Sequence, residues 1–302
     1  MNTVIEVDHL TRRFGRLVAV DGVSFSVYEG EIFGLLGENG AGKTTTIEML
    51  EGFQSPDGGS VHVLGENPRH GHRHWRDRID LVLQESEFDP LHTVRETLTL
   101  FASFFSNPRD VGETLELVGL SDKANERVGR LSGGQKRRVD VALGIVGRPA
   151  LLFLDEPTTG FDPVARREFW LVIEGLREAG TSMVLTTHYM EEAERLCDRL
   201  AIMSKGQIVA EGTSSALIGA VGATNVRFEI PPDVELSTLC SVAGTTFVLH
   251  DNVVMALLGD ELDAVLLRLL QWSQSTGTPL VGLEVIRPTL NDVFLGATGS
   301  DQ

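Results

Sequence analysis

A glycine-rich stretch, Gly37–Thr45, contains the residue types that bind phosphate groups. It matches the pattern GxxxxGK(S/T), the phosphate-binding loop of many nucleotide-binding proteins. Glycines allow backbone N–H groups to curl around phosphate oxygens, Lys43 can reach the β- and γ-phosphates, and the Thr44 hydroxyl can ligate Mg²⁺. The residues predicted to contact the nucleotide here are Gly37, Asn39, Gly40, Gly42, Lys43, Thr44 and Thr45.

The segments on either side of this loop must hold it in place. The apolar run 31–36 predicts a buried strand, and residues 44–51 predict a helix that ends at Gly52. A strand, a glycine-rich turn and a helix in this order place a helix N-terminus at the phosphates, where its partial positive charge adds to the binding. This context favours a phosphate site over a chance glycine-rich turn.

Two carboxylates follow a second buried strand. Residues 150–154 are continuously apolar, which is typical of a strand covered on both faces in a parallel sheet, and Asp155 and Glu156 come directly after them. Asp155 fits a ligand of Mg²⁺, through water. Glu156 fits the general base that accepts a proton from an attacking water molecule.

Two further strands are predicted to end in polar side chains at the same sheet edge. Gln84 follows residues 79–83, and His188 follows residues 182–186. Ligands of open α/β sheets bind at the carboxyl ends of the strands, so Gln84 could contact Mg²⁺ or orient water and His188 could meet a γ-phosphate. Taken singly, each could equally be an ordinary polar residue at the end of a strand.

A second anion-binding helix start is predicted at residues 131–135. Ser132 is a natural N-cap, and Gly133 and Gly134 expose backbone N–H groups before Gln135 and a basic, then apolar, helix. By itself this pattern could be no more than a capped helix. Strands are also predicted at 4–7 and 23–27, an N-capped helix from Thr93 to Phe105, and a turn at 251–252.

Two weaker features leave alternatives open. Phe14 lies upstream of the phosphate loop and could stack on an adenine ring, or be a core or surface aromatic. His70, His72 and His74 could bind a metal only if the segment were extended, so a solvated polar segment is favoured.

Composition limits the classes of protein to consider. The 302 residues suffice for one large and one small domain, and 42% hydrophobic with 23% charged residues is ordinary for a globular protein. A net charge of −17 argues against a nucleic-acid surface. Cys197 and Cys240 lie far apart, which favours a reduced, cytosolic setting, and no signal peptide or membrane span is expected.

Taken together, the motifs resemble those of the ATP-binding subunits of ABC transporters. Leu131-Ser132-Gly133-Gly134-Gln135 is the LSGGQ sequence, and it stands between the phosphate loop (Walker A) and the Asp155-Glu156 pair (Walker B). The resemblance covers about residues 1–215. It implies an α/β fold: a P-loop NTPase core with a RecA-like sheet, a β-rich preface and a helical insertion at about 90–145.

The resemblance also implies how the residues are used. Phe14 corresponds to the adenine-stacking aromatic, where tyrosine is commoner; Gln84 corresponds to the Q-loop and His188 to the switch histidine. Asp162 belongs to the D-loop, in which Phe161 replaces the usual leucine. In this family Mg²⁺ and ATP lie between two subunits, with Lys43 of one facing Ser132 and Gly134 of the other, so a homodimer is expected in the ATP-bound state.

The remainder, 218–302, is predicted to be a separate α+β module for assembly or regulation. Its strands are expected at 225–230, 246–250, 253–258 and 281–286. A helix at 261–275 places an apolar stripe on one face. The stripe consists of Leu262, Val265, Leu266, Leu269 and Leu270. The end of this module, residues 288–295, resembles the end of the daunorubicin/doxorubicin-type drug-exporter ATPases.

The leading interpretation is an ATPase subunit, peripheral on the cytoplasmic face of the membrane, that powers a separate integral membrane permease exporting a small hydrophobic compound. An importer or a lipid-export ATPase is the first alternative. A soluble ABC ATPase of DNA repair or translation is the second, but residues 93–127 are too short for the coiled coil of repair types. Translation types usually carry two ATPase halves, and this chain has one.

Overall fold

The structure is a computed structural model that describes residues 2–82, 89–222, 224–231, 234–250, 253–259 and 261–299. The chain forms two compact units, Met1–Ser214 and Ser215–Gln302, and the predicted boundary at 217/218 falls inside the helix Ser214–Val221. The strands of the first unit are β1 Thr3–Phe14, β2 Leu17–Tyr28, β3 Ile32–Gly37, β4 Gly58–Val63, β5 Ile79–Val82, β6 Leu151–Asp155, β7 Ser182–Thr187, β8 Arg199–Ser204 and β9 Gln207–Gly212.

A six-stranded sheet forms the centre of the first unit, in the order β5-β6-β7-β3-β8-β9. All neighbours are parallel except β9, which runs antiparallel to β8. Every residue of β3 and β7 is buried, as expected for inner parallel strands; β3 is continuously apolar, whereas β7 also buries Ser182, Thr186 and Thr187. The carboxyl ends of β3, β6 and β7 therefore deliver the phosphate loop, the acidic pair and His188 to one edge.

A three-stranded antiparallel sheet, β2-β1-β4, packs its apolar side chains into the same core. The predicted strands 4–7 and 23–27 were too short, because β1 and β2 are twelve residues each and pair up to the Phe14–Leu17 turn. Phe14 is consequently the last residue of a strand rather than part of a connection between two strands. The β1–β2 pairing contains several register shifts. These shifts interrupt the alternation of apolar and polar residues from which the two strands were predicted.

The helices of the first unit cover the central sheet and form the insertion. They are α1 Lys43–Leu50, α2 Arg73–Arg76, α3 Val94–Ala102, α4 Val111–Leu117, α5 Gly133–Val146, α6 Pro163–Glu178 and α7 Met190–Leu196. Helix α8 Ser214–Val221 begins at the boundary and lies in the second unit from Ser215 onward. The helix predicted from Thr93 to Phe105 ends earlier, at Ala102, and Thr93 is its N-cap in a capping box with Glu96. Helix α7 was not predicted, since its seven residues are too few to show a clear period.

The histidine-rich segment is folded rather than extended. Pro68–His70 forms a 3₁₀ turn, α2 follows it, and Trp75 anchors the segment by donating its indole N–H to the Val63 carbonyl at 2.7 Å. Within the part of the chain that the structure describes, no group of three or more His, Cys, Asp or Glu side chains is arranged to hold a metal.

The second unit is a four-stranded antiparallel sheet, β11-β12-β10-β13, packed against helices. Its elements are β10 Thr224–Glu229, α9 Leu236–Ala243, β11 Val248–His250, β12 Val253–Leu258, α10 Leu262–Thr276, β13 Val281–Ile286 and α11 Leu290–Thr298. Of the predicted stripe on α10, Val265 and Leu269 are buried, whereas Leu270 is exposed, because the contact face is narrower than the apolar stripe. Helices α9 and α11 were not predicted, and the predicted turn at 251–252 lies outside the described residues.

Candidate active site

The phosphate loop connects β3 to α1 as the sequence predicts. Gly42, the N-cap of α1, has φ of +105° and no side chain that could bond the first helical N–H groups. A Cβ atom at this position would lie 2.3 Å from the Ala19 carbonyl oxygen, so only glycine fits. The N–H groups at the start of α1 are thereby left for an anion such as a phosphate.

Lys43 is buried inside the loop. Its Nζ donates to the carbonyl oxygens of Gly37 at 2.7 Å and Glu38 at 3.1 Å, and it lies 3.9 Å from Glu156 Oε1. Burial lowers the pKa of Lys43, and the nearby charges of Glu156 and Asp155 oppose that shift. A polyphosphate entering the loop would supply the strong anionic partner that this enclosed ammonium group lacks at close range.

The phosphate loop borders a cavity of about 360 Å³. It is lined by Phe14, Leu17, Ala19, Asn39, Gly40, Gly42, Lys43, Thr44, Thr45 and Glu156. Phe14 is 43% exposed, and the Arg12 guanidinium lies over its ring, 4.9 Å from the centroid. Arg12 is held in turn by the Ser55 carbonyl and Asp57, so the aromatic ring is oriented while much of it stays open to a ligand.

We expect Phe14→Ala to weaken ATP binding about tenfold, because stacking on a base contributes roughly 1–3 kcal/mol. Phe14→Tyr should retain the affinity. Titration calorimetry with ATP and with inorganic tripolyphosphate separates the two parts of the ligand. Tripolyphosphate has no ring, so its affinity should not change; an equal loss for both ligands would mean that Phe14 supports the loop instead.

The acidic pair lies at the end of β6, beside β7. Asp155 accepts a short hydrogen bond from the Thr186 hydroxyl. The backbone N–H of Glu156 donates to both the Thr186 hydroxyl (3.0 Å) and the Thr186 carbonyl (3.2 Å). Glu156 has φ of +43°, a conformation that non-glycine residues rarely adopt. The neighbouring strand therefore holds the backbone of Glu156, and the Thr159 hydroxyl donates to the Glu156 carboxylate at 3.1 Å.

His188 reaches the same carboxylate. Its Nδ1 lies 3.4 Å from Glu156 Oε2, without the geometry of a hydrogen bond, and its side chain is 35% exposed. The neighbouring Tyr189 ring lies 4.1 Å away between centroids and is itself covered by Arg166. Lys43, Glu156 and His188, predicted from three separate motifs, thus converge on one point.

The segment Leu131–Gln135 begins α5 with the predicted cap. The Ser132 hydroxyl accepts from the Gln135 N–H at 3.2 Å, and the Gln135 side chain accepts from the Ser132 N–H at 3.0 Å. Ser132 and Gly133 are exposed, and residues 132–135 line a second cavity of about 700 Å³. Glu156 lines both cavities, whereas the phosphate-loop residues line only the first.

The loop after Glu156 ends at Asp162, the N-cap of α6. One Asp162 oxygen accepts from the N–H groups of Val164 (2.9 Å) and Ala165 (3.0 Å). Phe161 packs edge-on against Phe169 of α6 with 5.6 Å between centroids, so the bulkier side chain is accommodated within its own subunit. A contact between Asp162 and nucleotide stays a prediction.

Sequence reasoning missed four residues around the acidic pair. Thr186 was read only as a strand residue. Arg137 is buried and donates to the carbonyl oxygens of Pro157 and Asp155. Glu192 is fully buried and accepts from Thr158 (2.8 Å) and Trp170 (3.0 Å). Burial, with Asp155 and Glu48 nearby, raises the pKa of Glu51 to about 8, so it is mainly neutral at pH 7. The one available signal was the oppositely charged pair Arg137 and Asp140, three residues apart in a helix whose other inward side chains are apolar.

Gln84 lies outside the described residues, so its role stays a prediction.

Similarity to known proteins shows which family the chain belongs to. A family model described as ABC transporter matches residues 20–159. A "Nod factor export ATP-binding protein I" of Paraburkholderia xenovorans (strain LB400) is 40% identical over 314 residues, covering 98% of this chain and 97% of that protein. The chain belongs to the ABC transporter family.

Other members of the ABC transporter family support the same assignment. The protein of the same name from Burkholderia orbicola (strain AU 1054) is 46% identical over 219 residues, covering 71% of this chain and 72% of that protein. The crystal structure of the ADP conformation of an ATP-binding cassette from an ABC transporter has a TM-score of 0.63 at 26% identity, covering 72% of this chain and 93% of that one.

These similarities confirm two predictions. The fold is the α/β P-loop fold of ABC ATP-binding cassettes, and the chain is an ATP-binding ABC ATPase. The residues matched by the family model include the phosphate loop, the LSGGQ segment and the Asp155-Glu156 pair.

Proposed function

We propose that this ABC ATPase hydrolyses ATP in sites shared by two copies of the chain and uses the energy to drive export through a separate membrane permease. The observation that carries the proposal is the convergence of Lys43, Glu156 and His188 beside the phosphate loop. Lys43 suits the binding of a phosphate-bearing substrate. Glu156 suits the removal of a proton from water, and His188 suits contact with a γ-phosphate.

The residues take the following roles in this proposal. The loop N–H groups and Lys43 hold the phosphates, and Phe14 stacks on the adenine. Glu156 accepts the proton of the attacking water. His188 contacts the γ-phosphate through Nε2, the ring nitrogen that does not meet Glu156. Gln84, which follows β5 by two residues in the sequence, contacts Mg²⁺ or water.

The donors present fit Mg²⁺. The Thr44 hydroxyl is exposed in the cavity, and the Asp155 carboxylate lies at the end of β6, so two hard oxygen donors are available at this edge. Bound together with ATP, Mg²⁺ would neutralise charge on the phosphate oxygens. The chain's own part is to present Thr44 directly and Asp155 through water.

A second copy is required because the LSGGQ residues do not line the phosphate-loop cavity of their own chain. Ser132 and Gly133 are exposed and their helix N-terminus can receive an anion from outside. We assign Ser132, Gly133, Gly134, Gln135 and Asp162 to contacts with ATP bound by the other copy. The two sites then lie across a two-fold axis, as in a closed homodimer.

Export is the direction of transport that we propose, because the names of the relatives refer to export. None of the helices among the described residues has the length and apolarity needed to cross a bilayer. We therefore propose that the chain sits at the cytoplasmic face of the membrane by binding a permease. The cargo we propose is a small hydrophobic compound, on the resemblance of residues 288–295 to the drug-exporter ATPases. Residues 218–302 are proposed to assist assembly.

The permease surface is proposed at the end of α3. Leu100, Phe101 and Phe104 are 49%, 39% and 62% exposed, and the two phenylalanine rings pack edge-on with centroids 5.9 Å apart. Large apolar side chains that are exposed together are typical of a protein interface. From the sequence we expect a permease helix to be received by the cleft at Gln84 and the helical insertion, and these side chains belong to that insertion.

The test of coupling uses Phe104→Ser. Co-expressed with its integral membrane permease, the variant should lose at least tenfold in co-purification and in drug efflux, while its ATPase activity without the permease stays unchanged. Leu171→Ser is the matched control, since Leu171 is 60% exposed on α6. Normal binding and efflux in Phe104→Ser would contradict the assigned surface, and no efflux of any tested compound by the wild type would contradict the cargo.

A further inference from the structure

The backbone of Glu156 is held in an unfavourable conformation. A glutamate at φ of +43° lies in the left-handed region, which costs a non-glycine residue free energy. Such a conformation persists only where the surroundings determine it. Glu156 is also 16% exposed and borders both cavities. Its conformation must therefore be held by contacts within the protein and not by close packing on every side.

The groups that flank Glu156 are bonded to a single side chain. Arg137 donates from Nε to the Pro157 carbonyl at 2.9 Å and from Nη2 to the Asp155 carbonyl at 3.4 Å. One planar guanidinium therefore bridges the carbonyl oxygens on both sides of Glu156. The N–H of Glu156 is satisfied separately by Thr186. The Asp155 and Thr186 contacts hold the peptide plane before Glu156, and the bond to the Pro157 carbonyl holds the Pro157–Thr158 plane that follows it, so the backbone is held on both sides of the strained residue.

The guanidinium is itself closely held. Arg137 is 6% exposed, and Nη1 lies 3.8 Å from Asp140 Oδ2, one turn further along α5. Asp140, Asp155 and Glu192 all favour its charged form, against the burial that lowers its pKa. A rigid fork of donors in an enclosed site loses little freedom when it bonds two carbonyl groups, which suits it to fixing a geometry.

We propose that Arg137 is a positioning residue for ATP hydrolysis: by bridging the Asp155 and Pro157 carbonyls it holds Glu156 in its left-handed conformation and aims the carboxylate at the attacking water. This rests on the proposed role of Glu156 as the base. In this role Arg137 acts through the backbone of Glu156. Since Arg137 and Ser132 belong to the same helix, the contact also joins the LSGGQ helix to the base of its own subunit.

The test is Arg137→Lys in the full-length protein. Lysine keeps the positive charge beside Asp140 but has one nitrogen, which cannot span the two carbonyl groups with the same fork. We expect kcat to fall about tenfold, with the KM and Kd for ATP and the melting temperature unchanged. Arg177→Lys is the control, because it makes the same change at the half-exposed pair with Asp198 and should leave kcat unaltered.

The double variant separates positioning from a general structural effect. If Arg137 acts through Glu156, adding Arg137→Lys to Glu156→Gln should lower the residual single-turnover rate by less than twofold. A full further tenfold loss, or wild-type kcat in Arg137→Lys while Glu156→Gln is inactive, would overturn the inference. Turnover retained in Glu156→Gln would instead contradict the base assignment itself.

A second variant is used if Arg137→Lys does not fold normally. If Arg137→Lys lowers the melting temperature or abolishes ATP binding, Arg137→Gln replaces it, since the amide removes the buried charge and its single, shorter-reaching nitrogen cannot reproduce the fork of the guanidinium. A folded Arg137→Gln protein with normal ATP affinity should show the same loss in kcat. Normal kcat in that protein would overturn the inference.

Discussion

Glu156→Gln is expected to lower kcat at least 100-fold while ATP still binds. An amide has nearly the shape of the carboxylate but cannot accept the proton of the attacking water, and general bases contribute roughly 10²–10⁴-fold. The change also removes a charge 3.9 Å from Lys43 Nζ and 3.4 Å from His188 Nδ1, so repulsion of the γ-phosphate decreases. ATP should therefore be held at least as tightly, and an ATP-bound dimer should accumulate.

Phosphate release and light scattering measure the two outcomes. Glu174→Gln is the matched control, because Glu174 pairs with Arg195 on α6 and α7, outside both cavities. It should hydrolyse ATP at the wild-type rate and remain a monomer after hydrolysis. Phosphate release by Glu156→Gln close to wild type would exclude Glu156 as the base.

Mixing a Lys43→Ala protein with a Ser132→Arg protein should restore activity that neither has alone. In a shared-site dimer, the mixed pair has one site with both lesions and one with neither. Half of the dimers are mixed and each has one of two sites intact, so about a quarter of the wild-type rate is expected if one intact site can fire. Each lesion alone should lower turnover at least 100-fold, because Lys43 and Ser132 would hold the same ATP from opposite sides.

The control places both lesions on one chain. Mixing Lys43→Ala/Ser132→Arg with wild type gives mixed dimers in which every site carries one lesion, so activity should come only from wild-type dimers. Steady-state ATPase rates across a series of mixing ratios distinguish the two arrangements. High activity of either single variant as a homodimer would contradict the shared site.

Local chemistry was predictable wherever neighbouring residues in the chain determine it. The glycine that α1 requires at Gly42, the Ser132 cap of α5 and the acids after β6 follow from backbone sterics, orphan helix N–H groups and the burial of an inner strand. Because parallel strands all end at one edge, the order of motifs also predicted that Lys43, Glu156 and His188 would meet. That convergence is what the sequence by itself determined about this protein.

The tertiary structure alone decided how the acidic pair is held. Glu156 is placed by Thr186, thirty residues later and on another strand, and by Arg137, which reads in sequence as one of three basic residues after LSGGQ. It also decided that Leu270 of the apolar stripe is exposed and that Phe14 ends a strand. The physical reason is the same in each case: hydrogen bonds and burial join residues distant in the chain, and no local period or propensity encodes which of them will meet.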